Sequence, residues 1–482
     1  MHSRLASTLL GLLLACAAAA APPPPLTELR EEPLVARDGS VLQLTRARVR
    51  VPESHALPDG RQIELAVVRI RRGDAPTGSP QVLLAGGPGD SGVRVALELA
   101  RQGGAALAEV FDGDLIGIDQ RGTGGSLPNL RTAVRYAFPL DQPGSAPSWL
   151  RRAEQASRAV AAEMRARGID LQAYNTEESA DDIDAVRQAL AVTRWTLWGR
   201  SYGSHLALAT ARRHPDGIER LVLVSPEGPD HTWKLPSQTD AVLQRIAERA
   251  GAPDMVAQLR EATARLTRAP VRLEVPDPAT GLSTVLVLGA LDLQWTIAQV
   301  IGDPRALATL PAAAREMITG DFRRIAPLAL QLRRQAGVGS AMKAMMDLAS
   351  HASADRLARI DREAPGAVLG DTMNWPSRHL HAAWQARPLP DVFRQPVGVA
   401  VPTLLLAGDL DARTPVENAR EIAAALPDAR VLVVENAAHQ FDLFGQPPLR
   451  RLLARFLRGD GDLPKRVTLP PLRFAGLAPA RP

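Results

Sequence analysis

Cysteine is nearly missing from this chain of 482 residues: Cys16, close to the amino terminus, is the only one. Disulfide bonds and cysteine-based metal sites are therefore excluded, and stability has to come from a packed core. Lysine is almost as scarce. Lys234, Lys343 and Lys465 are the only lysines, so arginine carries the basic side of a net charge of +5. Those arginines are scattered among acids, and the basic stripe of a nucleic-acid binder is absent. No internal repeat is present. The one strongly apolar stretch, Leu5 to Leu14, is too short to span a bilayer as a folded anchor.

What is present suits a large globular protein: 45% hydrophobic and 23% charged residues, with length enough for two or three domains. The amino terminus reads as an export signal over residues 1–21. Arg4 supplies a positive start, an apolar segment follows, and the alanines from Ala17 to Ala21 satisfy the A-x-A rule after Ala20. Leu13-Leu14-Ala15-Cys16 also resembles a lipobox, so a lipid anchor at Cys16 is the alternative. Either way the protein is expected outside the cytoplasm, in the periplasm or the medium.

Strand-like runs follow one another along the chain. Val41 to Val51 and Gln62 to Arg71 flank a Pro-Asp-Gly turn and predict an antiparallel hairpin. Gln81 to Ala85, Asp114 to Asp119, Trp195 to Trp198, Arg220 to Val224, Thr403 to Ala407 and Arg430 to Val434 are short apolar strands. Helical patterns at Ser179 to Leu190, Ser204 to His214, Val416 to Ala425 and Pro448 to Leu457 alternate with them. That alternation predicts an α/β protein with a mostly parallel sheet covered on both faces. The expected division is 22–228 and 396–460 for the sheet core, 229–395 for a largely helical lid with one hairpin turning at Asp277 to Gly281, and 461–482 for a proline-rich tail. Thr414-Pro415-Val416-Glu417 reads as a capping box that starts the helix after the Thr403 strand.

Two glycine motifs compete to define the chemistry. Gly87 to Gly92 fits the G-x-G-x-x-G dinucleotide fingerprint, and Asp119 stands at the end of the next strand, where such a site wants an acid. Gly199-Arg200-Ser201-Tyr202-Gly203 is G-x-S-x-G between a strand and a helix, the context of a nucleophile elbow. In that turn Ser201 projects over the sheet edge and the Tyr202 amide is free to meet an oxyanion. A serine nucleophile needs a base and an orienting acid. Asp409 and Asp411 follow the Thr403 strand, and His439 follows the next one, in the order Ser, acid, His. Spacing alone leaves both aspartates open, with Asp409 also suited to bonding loop backbone. Among the other histidines, His205 is expected to pack within its helix. His379 and His381 lack a matching set of metal ligands.

The set "GGPG", "DQRGTGGS", "GRSYGS", "GDLDARTP" and a strand followed by His resembles the proline iminopeptidase and tripeptidyl aminopeptidase group of α/β-hydrolases. The resemblance runs from about Gln62 to Leu457 and is weak in the lid. It implies an α/β-hydrolase fold, Asp411 as the acid, and oxyanion amides from Tyr202 and from Gly86 or Gly87. It also implies that Asp119 and Arg121 brace loops. Ala85 stands where these enzymes usually carry His. An aminopeptidase also needs a carboxylate for the substrate ammonium, and Glu227 and Asp230 are the candidates. The expected function is a secreted serine exopeptidase, with an esterase using the same residues as the alternative. The expected partner is a peptide or small ester, with no cofactor, no metal, no nucleic acid and no membrane span.

Overall fold

The computed structural model describes residues 23–73, 78–277, 280–460 and 462–475. The expected signal segment 1–21, its alternative anchor Cys16 and the last residues of the tail lie outside them. The strands are β1 (Leu26–Val35), β2 (Val41–Pro52), β3 (Gln62–Arg71), β4 (Gln81–Leu84), β5 (Leu115–Ile118), β6 (Trp195–Arg200), β7 (Ile218–Val224), β8 (Val271–Pro276), β9 (Ser283–Leu288), β10 (Thr403–Gly408), β11 (Ala429–Glu435) and β12 (Arg466–Thr468).

Ten of them form one sheet in the order β1-β2-β3-β5-β4-β6-β7-β10-β11-β12. The β1/β2, β2/β3 and β3/β5 pairs are antiparallel. From β5 to β12 every pairing is parallel. Burial explains the division. β4, β5 and β10 are buried at every position, as apolar strands sandwiched between helices must be. β2 alternates buried and exposed residues and turns one face to water.

The sequence reading missed β1 and β12. "LTELREEPLV" carries four charges and a proline, features that belong to a protected edge strand rather than a core one. Its pairing to β2 is backbone-led, and Arg46 adds an ion pair to Glu32 at 2.9 Å. β12 has three residues and no periodicity to detect.

The long β7–β10 connection is mostly helical, with β8 and β9 as an antiparallel hairpin closed by the Gly281 amide on the Asp277 carbonyl at 2.8 Å. Packing divides this connection in two. Residues from Val242 to Leu369 form their own apolar cluster, and Leu410, Ala412 and Ala438 belong to it. Those three flank Asp411 and His439, so part of the lid rests on the two loops at the sheet edge. The helix Ala341–Ser350, with Trp384 and Phe393, packs instead into the cluster of the sheet itself. The tail continues from β12 over the lid, where Leu472 and Phe474 pack and the Ala475 amide meets the Ala308 carbonyl at 2.8 Å. No helix among the described residues is long and apolar enough to cross a membrane.

Candidate active site

Ser201 sits between β6 and the helix Tyr202–Arg213 with φ 53° and ψ −124°. A non-glycine residue held there stores strain of about 1–3 kcal/mol, so the surroundings must force it. They do. A Cβ on Gly199 would come within 2.4 Å of the Gly203 carbonyl oxygen, and one on Gly203 within 2.0 Å of the Leu84 oxygen. Only glycine at both positions lets the chain reverse this tightly against β4. The Ser201 amide donates to the Val224 carbonyl at 3.0 Å, and the Ser201 carbonyl accepts from the Ser204 amide at 2.8 Å and its hydroxyl at 2.5 Å.

The glycine loop after β4 lies against this turn. A Cβ on Gly86 would stand 2.9 Å from the Arg200 oxygen and 3.3 Å from the Ser201 Cβ. Gly87 has φ +110° and lines the same cavity as Ser201. Neither the Gly86 nor the Gly87 amide donates a hydrogen bond among the described residues. Asp119 is committed elsewhere: its Oδ1 accepts from Ser91 Oγ at 2.5 Å and the Val93 amide at 3.1 Å, and its Oδ2 from the Gly125 amide at 2.7 Å. A carboxylate spent on these three donors is not free for a ribose, so the dinucleotide reading loses its acid. Arg121, wholly buried, makes two 2.7 Å bonds to Asp182 and donates to the carbonyls of Glu53 and Ala173. Both residues brace loops.

At the carboxyl ends of β10 and β11 the two aspartates separate. Asp409 accepts from the Asn436 amide at 2.7 Å and pairs with Arg249 at 2.8 Å. Asp411 is fully buried, and its Oδ2 meets His439 Nδ1 at 2.8 Å. Thr414 breaks the expected pattern. The helix begins at Val416 with Pro415 as N-cap and no side-chain cap. The Thr414 hydroxyl points back to Asp411 Oδ2 at 2.8 Å and lies 3.2 Å from His439 Nδ1. The capping box is thus replaced by a stronger partner, a buried carboxylate. The amides of Arg413 and Thr414 fill Asp411 Oδ1, each at 2.9 Å. Burial pushes the Asp411 carboxyl upward, but the His439 ring and the Thr414 donors outweigh it and hold the group below its ordinary value. With Nδ1 engaged, Nε2 is the His439 nitrogen left to handle a proton. Ser225 Oγ fixes the His439 carbonyl at 3.1 Å, and the lid approaches from above, where the Gly302 carbonyl takes the Gln440 amide at 3.1 Å.

A cavity of about 390 Å³ reaches Ser201, Gly87 and Thr414 under the lid. Glu227 lines it, held by its own amide on Ser204 Oγ at 2.7 Å, and its carboxylate pairs with Lys234 at 2.5 Å. Burial raises the Glu227 pKa, yet Lys234 and His205 pull it below normal. Asp230 is not among the residues lining this cavity. Its oxygens accept from the Ser353 amide at 2.6 Å and hydroxyl at 2.7 Å, at the start of the helix Ala354–Glu363. Between the two candidates, only Glu227 is placed to meet a ligand. His205, expected to pack within its helix, is buried and bonds two partners outside that helix, the Gly228 carbonyl at 2.9 Å and Ser350 Oγ at 3.1 Å. His381 faces His351 at 3.0 Å rather than a ligand set, and no group of three metal-binding side chains occurs among the described residues. Lys234, Lys343 and Asp347 had no motif to mark them in the sequence, and Thr414 was marked as a helix cap rather than as a partner of Asp411. The scarcity of lysine was the one signal that singled out two of them.

A ten-stranded mixed sheet, a serine on a glycine-flanked strand-to-helix turn after β6, and an Asp–His pair at the ends of β10 and β11 define the α/β-hydrolase fold, and the chain has that fold. Residues 82–286 match the family model for the alpha/beta hydrolase fold, and residues 368–469 match that for TAP-like proteins. The chain is similar to a tripeptidyl aminopeptidase of Streptomyces lividans, 30% identical over 200 residues that cover 38% of this chain and 36% of that protein. It is also similar to a probable proline iminopeptidase of Streptomyces coelicolor, 30% identical over 148 residues covering 31% and 33% of the two chains. These matches span little more than a third of the relatives' own length. A thermophilic esterase from Thermogutta terrifontis aligns over 86% of this chain and 99% of its own with a TM-score of 0.37 and 18% identity.

Proposed function

We propose that this protein is an exported serine exopeptidase that removes residues from the amino terminus of peptides through an acyl-enzyme on Ser201. The observation that carries the reading is the Asp411–His439 bond of 2.8 Å at the sheet edge that also presents Ser201. In the proposed reaction Ser201 Oγ attacks the scissile carbonyl carbon while its proton passes to His439 Nε2. Asp411 holds Nδ1 and stabilises the imidazolium. The amides of Tyr202 and of Gly86 or Gly87 receive the oxyanion. His439 then gives its proton to the departing amine, and water, deprotonated by the same nitrogen, releases the acyl group and restores the serine. Glu227 in the cavity wall supports the peptidase form, because a carboxylate there offers an oxygen to a substrate ammonium. The names of the relatives point the same way. Export rests on the sequence of residues 1–21 alone.

One observation favours a second reading. Lys234 already sits on Glu227 at 2.5 Å, which is the place an ammonium would take, and a small ester needs no such place. Turnover of aminoacyl anilides against short acyl esters separates the two. The peptidase reading expects anilides with a free amine to be cleaved and their N-acetyl forms to be poor substrates. Ready turnover of esters with no cleavage of any free-amine substrate would replace it with the esterase.

A further inference from the structure

The wall of the cavity above Ser201 holds more hydrogen-bond donors than acceptors to match them. Two of the three lysines in the chain, Lys234 and Lys343, line it together with Arg413, and its carboxylates are Glu227 and Asp347. Arg413 is already engaged by the Ala298 and Gln299 carbonyls, at 3.1 and 2.8 Å, which leaves the two lysines facing the two carboxylates. An ammonium carries three N–H groups. Lys234 spends two, on Glu227 and on the His231 carbonyl at 2.8 Å. Lys343 spends two, on Asp347 at 2.8 Å and on the Gly87 carbonyl at 3.2 Å. One donor is left on each. The indole N–H groups of Trp295 and Trp384 and the Thr232 hydroxyl are also buried in this wall with no partner among the described residues. Those three atoms are shut off from the open space of the cavity, so the donors within a ligand's reach are the spare ammonium N–H groups, and these suit a ligand that offers an acceptor.

The two lysines are not equivalent. The Lys234 side chain is 16% exposed and its carboxylate is held below the usual range. The Lys343 side chain is 43% exposed, and burial pushes its partner Asp347 above the usual range despite the lysine. Lys343 is therefore the more accessible of the two cations, and it hangs from Gly87, beside the expected oxyanion position. A carboxylate can accept from the spare N–H group of Lys343, and a free amino terminus cannot. We propose that the cavity takes short peptides with a free α-carboxylate, and that Lys343 is the specificity-determining residue that receives it. This rests on the peptidase reading, in which the ammonium at the opposite end of the same zwitterion shares Glu227 with Lys234. Holding both ends in one cavity selects a substrate of a few residues.

The test uses the dipeptide Ala-Phe, the tripeptide Ala-Ala-Phe and their C-terminal amides as matched substrates. The wild-type protein is expected to prefer the carboxylate forms by at least tenfold in kcat/KM, expressed mainly in KM. Lys343→Gln should bring the ratio close to one, and Lys343→Arg should keep most of it. The ratio cancels any general disturbance of the glycine loop. Fluorophosphonate labelling of Ser201 shows that each variant is folded, with Lys343→Met as the substitute if Lys343→Gln is not. Equal cleavage of both forms by the wild type, or an unchanged ratio in a labelled Lys343→Gln or Lys343→Met, overturns the assignment and leaves the peptidase reading standing. Cleavage of neither form alongside ready ester turnover removes the peptidase reading and this proposal with it.

Discussion

Replacing Thr414 by valine removes a hydroxyl and keeps the side-chain shape, which isolates what that hydroxyl does. Asp411 has four acceptor positions and four donors: the Arg413 and Thr414 amides on Oδ1, and Thr414 Oγ1 and His439 Nδ1 on Oδ2. The carboxylate is fully buried, so no solvent replaces a lost donor. An unmet position there costs about 1–3 kcal/mol. Tenfold in rate corresponds to about 1.4 kcal/mol, so the expected loss in reactivity of Ser201 is about tenfold. It arises because a less well-held carboxylate orients His439 less well and stabilises its protonated form less. The assay is the second-order rate of fluorophosphonate labelling, which requires no knowledge of the substrate. Thr414→Ser, which keeps the hydroxyl, should label within about twofold of wild type, a range in which about 0.4 kcal/mol is at stake. A hydroxyl that merely capped the following helix would lower the thermal midpoint of Thr414→Val without touching the labelling rate. An unchanged rate in Thr414→Val refutes the reasoning.

Three further outcomes follow from contacts in the fold. Gly86→Ala places a Cβ 2.9 Å from the Arg200 oxygen and 3.3 Å from the Ser201 Cβ; the glycine loop must retreat from the nucleophile, so labelling should fall by more than tenfold while circular dichroism still reports a folded sheet. Acid should unfold the protein in a defined window. Asp411, Asp182 and Asp181 are each held below their ordinary values against the upward push of burial, Asp411 by His439 and Thr414, Asp182 by Arg121 and His55, and Asp181, at about 2, by His214 and Arg213. Their stabilisation is present above the ordinary carboxylate range and is lost as pH falls through the lowered values, that of Asp181 lying at about 2. Asp182→Asn leaves the buried Arg121 with Glu178, at 3.4 Å, as its remaining carboxylate, and it should lower stability and reduce the acid slope of stability measured by denaturant at stepped pH.

Most of the sheet could be read from the sequence because buried parallel strands write themselves as unbroken apolar runs, as in "QVLL" and "TLLLAG". β1 could not, since its backbone is recruited by β2 while its side chains remain polar. The turn at Ser201 was legible because sterics demand glycine on both sides of it. The choice between Asp409 and Asp411 was not legible from spacing. Two residues apart on one loop, they differ only in what the fold brings to them: Asn436 and Arg249 for one, His439 for the other. Thr414 misled for a related reason. A local rule made it a cap, but a buried charge 28 residues from its histidine partner offered a better bond. The charges of the cavity came from separate segments of the lid, where nothing in local sequence announces that Lys234 and Glu227, or Lys343 and Gly87, will meet.

Covalent capture of Ser201 tests the central claim most directly. Incubation with a fluorophosphonate followed by peptide mass mapping is expected to place a single adduct on Ser201. Labelling should disappear in Ser201→Ala and be strongly slowed in His439→Ala. A folded wild-type protein that takes up no label, or that carries the adduct at a serine other than Ser201, would contradict the account.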